Sequence, residues 1–566
     1  MDSAGVKVLG NPMKAEKLLE RLRSANFKVA VLLVLLATLG LSAVDDYGIS
    51  ADEKLEVQFI FWNVRLRNSG VPIPKMSEYY GSIFPFASEA IYQVKSLLET
   101  GKLDLYFEIG DTEDSISNQD LLRRIGVKHS FTFLFSLLTY LSVTGIVGVL
   151  AGREWSWLGV IVMALLPRYW GHSFFNPKDI PYATMFTLGT FAGALLVGRY
   201  LNAERGEIRL GMNRITGYSL LYGVLVGLVT GTRIAGSFLL AFVGLAHLAS
   251  WLGKKKGLRE LLPYWSLYGV IGAAWFLTVF ALHPASWSNP FRWLYDGFLY
   301  LSSYEYWDGL NLFKGYLLYG QDVPWYYLPV WIGITTPVLI LALFVVGAFL
   351  LLFRYFRLTA EQQACAWLVL LQMGFLPGVA VLRNSVIYNG LRQFLFILPG
   401  IAVLATVAII WLLERIRRAR FRWLALAILG FLALPTVVDM VVLHPYEHVY
   451  FNRAFGGLKG AYGRFDTDYW GLSMREGMEW INTNAEPGST VVTSRHYVSS
   501  EPFADPGDRI VRIHQFEEEN LSGPFYTMVL ESYEHVLGDR FARCPIVYRV
   551  LRQDVPLTIV RKCNEF

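Results

Sequence analysis

VLILALFVVGAFLLLF, residues 338–353, runs for sixteen residues without one charged or hydrogen-bonding side chain. A helix on a soluble protein buries one stripe and keeps its opposite face polar. This stretch is apolar on every face. AVLLVLLATLGL, residues 30–41, reads the same way. About 20 such residues cross roughly 30 Å of hydrocarbon as a helix. Working outward from these two runs gives eleven spans, near 28–43, 131–150, 155–173, 180–199, 216–232, 235–252, 263–282, 326–353, 364–382, 394–413 and 423–443. The expected fold is a polytopic α-helical membrane protein. Between the fifth and sixth spans the turn falls at Thr232-Arg233.

Composition agrees. Hydrophobic residues make up 54% of the chain and charged residues 17%, against about a quarter charged in soluble domains. Mean hydropathy is +0.37. The 17 Trp and 31 Tyr suit interfacial belts. With three cysteines and no CxxC or HExxH, a zinc site has no support. Nothing points to a nucleic-acid partner.

Basic residues fix the expected orientation. The N-terminal tail carries Lys7, Lys14, Lys17, Arg21 and Arg23. Alternate short loops carry Arg199, Arg205, Arg209 and Arg214, then Lys254 to Lys256 and Arg259, then Arg354 and Arg357, then Arg415, Arg417, Arg418, Arg420 and Arg422. With eleven spans, all fall on one side, which is expected to be the cytoplasm. Residues 1–27 then form a cytoplasmic tail and 28–443 the transmembrane region of an inner-membrane protein. Long loops at 45–130 and 283–325 and a tail from 444 to 566 face the periplasm. A rival reading makes the first apolar run and Leu41-Ser42-Ala43 a cleaved signal peptide.

The tail alternates helical text (Met474 to Asn482) with the strand-like STVVTS and TMVLES, which suggests a small α/β domain. PIVYRVLRQDVPLTIVRKC reads as a hairpin turning at Gln553-Asp554. Folding about that point sets Cys544 opposite Cys563, close enough for a disulfide in an oxidising compartment; two unrelated thiols are the alternative. Cys365, inside a span, reads as packing.

Ionisable residues at span edges are either anchors or parts of a site. Four groups gather at the outer edge. The first is Asp45-Asp46 with Asp52-Glu53, where Ser50 and Glu53 fit a capping box. The second is the tight turn HSFFNPKDIPYA, in which Asp179 can cap the next helix and Lys178, Arg168 and His172 lie nearby. The third is Arg233, Arg383 and Arg392, whose forked donors suit a phosphate. The fourth is the aromatic loop from HPASWSNPFRW to DVPWYYLP, which suits an interfacial segment, a lipid groove or a sugar-stacking wall. Carboxylates facing basic groups at a membrane surface fit group transfer from a lipid-linked phosphate. Neither a Walker A sequence nor GxGxxG after a strand is present, which makes a lipid-linked donor the better fit.

YGISADE (47–53), YYGSIFPFASEAIY (79–92), RYWGHSFFNPKDIPYA (168–183), PWYYLPVWIGITTP (324–337), YNGLRQFLFILP (388–399) and HPYEHVYFN (444–452) resemble the GT-C glycosyltransferases. The likeness is to the branch of protein O-mannosyltransferases and aminoarabinose transferases, in its uncharacterised bacterial members. The resemblance implies a polyprenyl-phosphate sugar donor and inverting transfer to a glycolipid, polysaccharide or protein acceptor. It makes Asp52 the general base or an acceptor-orienting acid, Glu53 its support and Asp179 a second acid near the reacting centre. Lys178, Arg233 and Arg392, with Arg168 and His172 beside them, become the donor-phosphate set. No cofactor is implied, and a divalent metal is left open. Asp45-Asp46 departs from the pattern, so the base is not unique. A transporter or flippase of a lipid-linked precursor, and a non-catalytic envelope scaffold, are the other classes to weigh.

Overall fold

In hydrocarbon every backbone N–H and C=O has to find its partner within the protein, so long apolar runs become helices. The computed structural model describes residues 24–75, 77–105, 116–204, 207–208, 210–254, 257–302, 307, 309–493, 495–518, 524–533 and 541–564. The tail cations Lys7, Lys14, Lys17, Arg21 and Arg23 and the loop cations Arg205, Arg209, Lys255 and Lys256 lie outside these residues. Among the described residues nine helices are long and apolar enough to cross a membrane. The chain is a multi-pass membrane protein.

Helices α1 (Ala25–Ala43), α2 (Glu53–Ser69), α3 (Ile83–Thr100) and α4 (Asn118–Ala151) open the chain. The expected loop 45–130 is therefore largely helical, and α4 starts thirteen residues before its expected position at 131. Its 34 residues span about 51 Å at 1.5 Å per residue, longer than a bilayer core.

The expected third span, 155–173, is broken in two: α5 (Leu158–Ala164) and α6 (Pro167–Phe175). Pro167 cannot donate to the preceding turn and instead occupies the first turn of a new helix. The eighth, 326–353, breaks likewise at Pro337. Between the two breaks run α7 (Asp179–Asn202), α8 (Arg214–Thr230), α9 (Phe238–Gly253), α10 (Trp265–Leu282) and α11 (Pro290–Ser302). The hairpin β1 (Leu310–Phe313) and β2 (Tyr316–Tyr319) follows. Then come α12 (Tyr327–Thr335), α13 (Val338–Arg354), α14 (Ala360–Leu382), α15 (Leu398–Arg415) and α16 (Ala419–Leu443). The fifth and sixth spans are separate helices. At 17 residues α8 is not among the nine, which take in α9 and α13 together with the 3-10 turns continuous with them, as Ile234–Gly253 and Val338–Arg357.

Helices α7 and α15 form the centre of the bundle; α1 and α13 face outward over most of their surface. A hydrogen-bonded side chain ties the centre together: Gln372 on α14 donates to Thr187 Oγ1 on α7 (2.9 Å) and to the Phe396 carbonyl just before α15 (2.7 Å).

The C-terminal region carries α17 (Met474–Asn484) and the strands β3 (Thr490–Thr493), β4 (Arg509–Arg512), β5 (Phe525–Leu530), β6 (Ile546–Arg552) and β7 (Val555–Cys563). The sheet order is β4-β3-β5-β7-β6. Strands β3, β4 and β5 run parallel, whereas β7 is antiparallel to β5 and β6. Met474, Met478 and Ile481 of α17 pack on Val491, Met528 and Val560. Strands β6 and β7 turn at Gln553 and Asp554, both with positive φ, as a two-residue hairpin requires. Cys544 and Cys563 are joined by a disulfide, with their Cα atoms 4.9 Å apart.

This region is packed onto one end of the bundle, here the domain end. Gly171 on α6 allows it: a Cβ there would lie 2.8 Å from the His448 amide nitrogen. Tyr47 donates to Glu447 (2.7 Å), and His444 lies between Glu447 (2.8 Å) and Asp46 (2.9 Å). The hydrogen bonds to Glu447 outweigh partial burial, and with the Asp46 carboxylate they push His444 up to about 9.

Candidate active site

Five pieces of chain converge at the domain end: residues 45–56, the α6–α7 corner, the turn 231–233, the segment 388–392 and the segment 465–471. Each is placed by local rules. Asp52 stands at the start of α2 without making a side-chain cap, so its carboxylate is free to face elsewhere. At the α6–α7 corner the cap is Asn176, not Asp179. Asn176 Oδ1 accepts from the Asp179 amide (2.9 Å) and the Lys178 amide (3.3 Å). The expected capping role of Asp179 is thereby corrected, and its carboxylate is released for other contacts. The turn bearing Arg233 sits against Gly81, where a Cβ would lie 2.0 Å from the Gly231 carbonyl oxygen.

The charges form one cluster. Lys178 Nζ is 3.6 Å from Asp52 Oδ2 and 3.5 Å from Glu56 Oε1. Arg392 Nη1 is 3.7 Å from Asp52 Oδ2. Arg233 pairs with Asp179 Oδ1, and Asn176 Nδ2 donates to Asp179 Oδ2 at 2.9 Å. Aromatic faces border the cations. Arg392 lies 4.7 Å from the rings of both Tyr388 and Trp470. Lys178 lies 5.0 Å from Tyr80 and 5.2 Å from Phe59, and Arg233 lies 5.6 Å from Tyr182.

The two acids differ. The side chain of Asp179 is 5% exposed, with both oxygens engaged. That of Asp52 is 31% exposed, with its cations beyond hydrogen-bonding distance. Asp52 is therefore the carboxylate a ligand could reach. Its surroundings pull in opposite directions. Burial raises its pKa, but Lys178, Arg392 and Arg233 outweigh burial and hold it below the ordinary carboxylate value. Glu56 goes the other way: burial lifts it to about 7 despite Lys178 and Lys128.

Asp52, Lys178, Asp179, Arg233 and Arg392 are thus brought together, while the other candidates stand apart. Glu53 turns inward and is fully buried. It accepts from the Ser50 amide (2.8 Å) and lies 2.8 Å from His129 Nε2. This is half of the expected capping box, since the Ser50 hydroxyl donates instead to the Phe175 carbonyl (3.2 Å). Arg168 and His172 lie on the buried face of α6. Arg168 Nε donates to the Tyr450 carbonyl (3.0 Å) between Trp331 and Phe451. His172 Nδ1 is 3.2 Å from Asn176 Nδ2. Both are buried and stand apart from the cluster that holds Lys178, Arg233 and Arg392, the other residues expected to bind phosphate. Arg383 is exposed at the end of α14.

Several members escaped the sequence reading. Glu56 was legible in principle, since position i+4 on a helix shares a face with Asp52. Trp470 and Asp466 come from DTDYWG, a polar–aromatic run within the tail. The Trp470 carbonyl accepts from the Ala51 amide (2.9 Å), fixing the loop before Asp52. Asp466 accepts from Asn389 (3.0 Å) and the Leu312 amide (3.1 Å). No sequence signal marked Lys128, which lies on α4 three residues before the expected start of the second span.

Among the described residues no group of three His, Cys, Asp or Glu side chains is arranged to hold a metal ion. Asp52, Glu56 and Asp179 each already face a lysine or arginine, so these acids do not fit as a ligand set for a divalent ion.

No protein-family model matches the chain, and no curated protein matches it. Similar solved structures are oligosaccharyltransferases. One is archaeal oligosaccharyltransferase AglB from Archaeoglobus fulgidus in complex with an inhibitory peptide and a dolichol-phosphate. Identity is 11%, with 90% of this chain and 70% of that chain covered and a TM-score of 0.47. Another is the apo form of the Archaeoglobus fulgidus oligosaccharyltransferase, at 10% identity, 91% and 70% coverage and a TM-score of 0.49. A third is the same enzyme tethered to an acceptor peptide containing the NVT sequon, at 10%, 89% and 69%, and 0.47.

Proposed function

We propose that this chain is an integral membrane glycosyltransferase of the GT-C kind, in the branch its motifs resemble. It takes a sugar from a polyprenyl-phosphate donor and passes it to a hydroxyl acceptor. One observation carries the reading: Asp52 is the reachable carboxylate and lies between Lys178 and Arg392 at 3.6 and 3.7 Å. A base and two phosphate-binding cations side by side suit displacement at a carbon that bears a phosphate.

In the proposed step the donor phosphate engages Arg392 and Lys178. Asp52 accepts the proton of the acceptor hydroxyl as its oxygen bonds to the anomeric carbon. The bond to phosphate breaks, its electron pair leaves with the polyprenyl phosphate, and configuration inverts. Asp179 holds Arg233 in place and keeps it charged beside the site. When donor binds, its phosphate shares the cations that depress Asp52, so the base strengthens as the substrate arrives.

The domain end is assigned to the periplasm and the N-terminus to the cytoplasm. The support is the set of exposed cations Arg214, Lys254, Arg354, Arg357, Arg415, Arg417, Arg418 and Arg420 at the other end. The test is transfer of label from a polyprenyl-phosphate sugar by purified protein in liposomes. Labelled product bonded to an acceptor is expected. Movement of intact labelled donor across the bilayer, with no product, favours the flippase class. Neither transfer nor movement favours the scaffold.

A further inference from the structure

Asp52 and Glu56 stand one helical turn apart and face a single ammonium, Lys178 Nζ, at 3.6 and 3.5 Å. Glu56 is 2% exposed. Behind it, Lys128 on α4 is equally buried, and its Nζ has no hydrogen-bond partner among the described residues. The charges acting on Glu56 are Lys178 from the α6–α7 corner, Lys128 from α4 and Asp52 from the start of its own helix. Lys128 in turn faces Glu53 and Glu89. Setting aside His129, which bonds Glu53, and Glu89, which pairs with Arg124, the cluster opposes the carboxylates Asp52, Glu53, Glu56 and Asp179 to the cations Lys128, Lys178, Arg233 and Arg392, and the formal charges cancel.

A phosphate monoester brings about −1.5 to −2 charges at neutral pH. Adding that to a balanced, buried cluster is unfavourable unless some charge is removed. Lys178 has three N–H donors, but its single positive charge cannot balance two carboxylates and a phosphate at once. We propose that Glu56 is the charge-compensating residue of this site: when a phosphate-headed lipid engages Lys178, Glu56 takes up one proton from solvent. The inference rests on the proposed function, since its ligand is polyprenyl phosphate, the monoester released in that step; the sugar-bearing donor is a diester with a single charge.

Glu56 is poised for this role. Burial already holds it near 7, with Lys178 and Lys128 opposing burial. Turning Lys178 toward phosphate weakens one of those opposing influences and places a new negative charge nearby. Both changes raise the affinity of Glu56 for a proton. Glu56 therefore acts through Lys178 and is a positioning residue, outside the bond-making step.

The sign follows from linkage. A group whose pKa rises on binding makes binding tighter at low pH and weaker as pH climbs between the free and bound values. One proton per ligand corresponds to about tenfold in affinity per pH unit across that window.

The experiment titrates the full-length protein in detergent with undecaprenyl phosphate by calorimetry. Buffers of differing ionisation enthalpy give the number of protons exchanged. Near pH 8 the free phosphate is already dianionic, its second pKa being about 6, so uptake there belongs to the protein. Wild type should take up close to one proton near pH 8 and lose about tenfold in affinity per unit above about pH 7. In Glu56→Gln uptake should vanish and affinity become flat with pH. In Asp52→Asn the cluster keeps one spare positive charge and Glu56 loses a carboxylate neighbour, so uptake should be smaller than in wild type.

Absence of uptake by wild type near pH 8 overturns the inference while leaving the functional reading intact. So does undiminished uptake in either Glu56→Gln or Asp52→Asn. Failure of wild type to bind undecaprenyl phosphate at any pH removes the functional reading and this inference with it. If Glu56→Gln does not fold, the wild-type pH profile and the Asp52→Asn measurement still decide.

Discussion

The two ends of the helix bundle dispose their charge in opposite ways. At the far end Arg214, Lys254, Arg354, Arg357, Arg415, Arg417, Arg418 and Arg420 are exposed, as are the carboxylates Glu154, Glu204, Glu207, Glu260, Glu361 and Glu414. At the domain end Lys128, Lys178, Arg233 and Arg392 are buried or nearly so, and each faces a carboxylate. An exposed charge keeps its water and needs no particular neighbour. A buried charge has lost its water, so it needs a partner at a definite place. The far end can therefore govern how the chain sits in a membrane by number of charges alone. The domain end depends on which charge is where.

If that contrast holds, the largest single effect belongs to the reachable acid. Asp52→Asn keeps size and shape and removes the proposed base. Transfer should fall by about 10²–10⁴, measured as initial rate in liposomes, with the amount of folded protein in the membrane unchanged. Full activity in this variant would sink the mechanism.

The next effect is on stability. Arg233→Met leaves Asp179 buried without its cation, a loss of about 3 kcal/mol, at the lower end for a broken buried pair because Arg233 is partly exposed. Removing both charges, in Arg233→Met with Asp179→Asn, should restore most of the thermal stability in detergent but not the activity. A double variant no more stable than Arg233→Met would show that the pair is not the unit drawn here.

A smaller effect tests what the C-terminal region gives the site. Trp470 places its ring 4.7 Å from Arg392. Trp470→Phe keeps an aromatic face but weakens the attraction, which is worth about 0.5–2 kcal/mol. Donor KM should rise by about threefold to tenfold, with kcat little changed. An unchanged KM would place the ring outside the donor's reach.

The same contrast explains what the sequence disclosed. The apolar runs had only one stable outcome in hydrocarbon, so the helices were legible, and the basic loops sorted themselves by side. The breaks at Pro167 and Pro337 were visible as prolines but were absorbed into long apolar windows. In the site, Asp52, Lys178, Asp179, Arg233 and Arg392 stood out because charge at a span edge is unusual. Which of them a ligand can reach was not legible. That depends on Asn176 taking the cap from Asp179 and on Glu53 turning toward Ser50 and His129. Lys128 was hidden because its partners lie far away in sequence: Glu56, Glu53 and Glu89 on other helices.

The smallest expected effect lies at the far end and is the cleanest way to break the comparison. Arg354 and Arg357 are exposed at the end of α13. Exposed charges contribute about 0–1 kcal/mol to a folded protein, and these two are tens of ångströms along the bundle from Asp52 if α4, at about 1.5 Å per residue, measures its length. Arg354→Ser with Arg357→Ser should change transfer per folded molecule by less than about twofold, within the effect of one such weak contact. Their influence belongs to insertion, where basic residues in short loops hold a segment on the cytoplasmic side. The fraction of molecules with the C-terminal region on the periplasmic side, read by labelling an introduced cysteine there, should fall more than the rate does. A tenfold loss of rate in correctly inserted molecules would mean that the far end shapes the site itself. The division between charges that orient the chain and charges that do its chemistry would then fail.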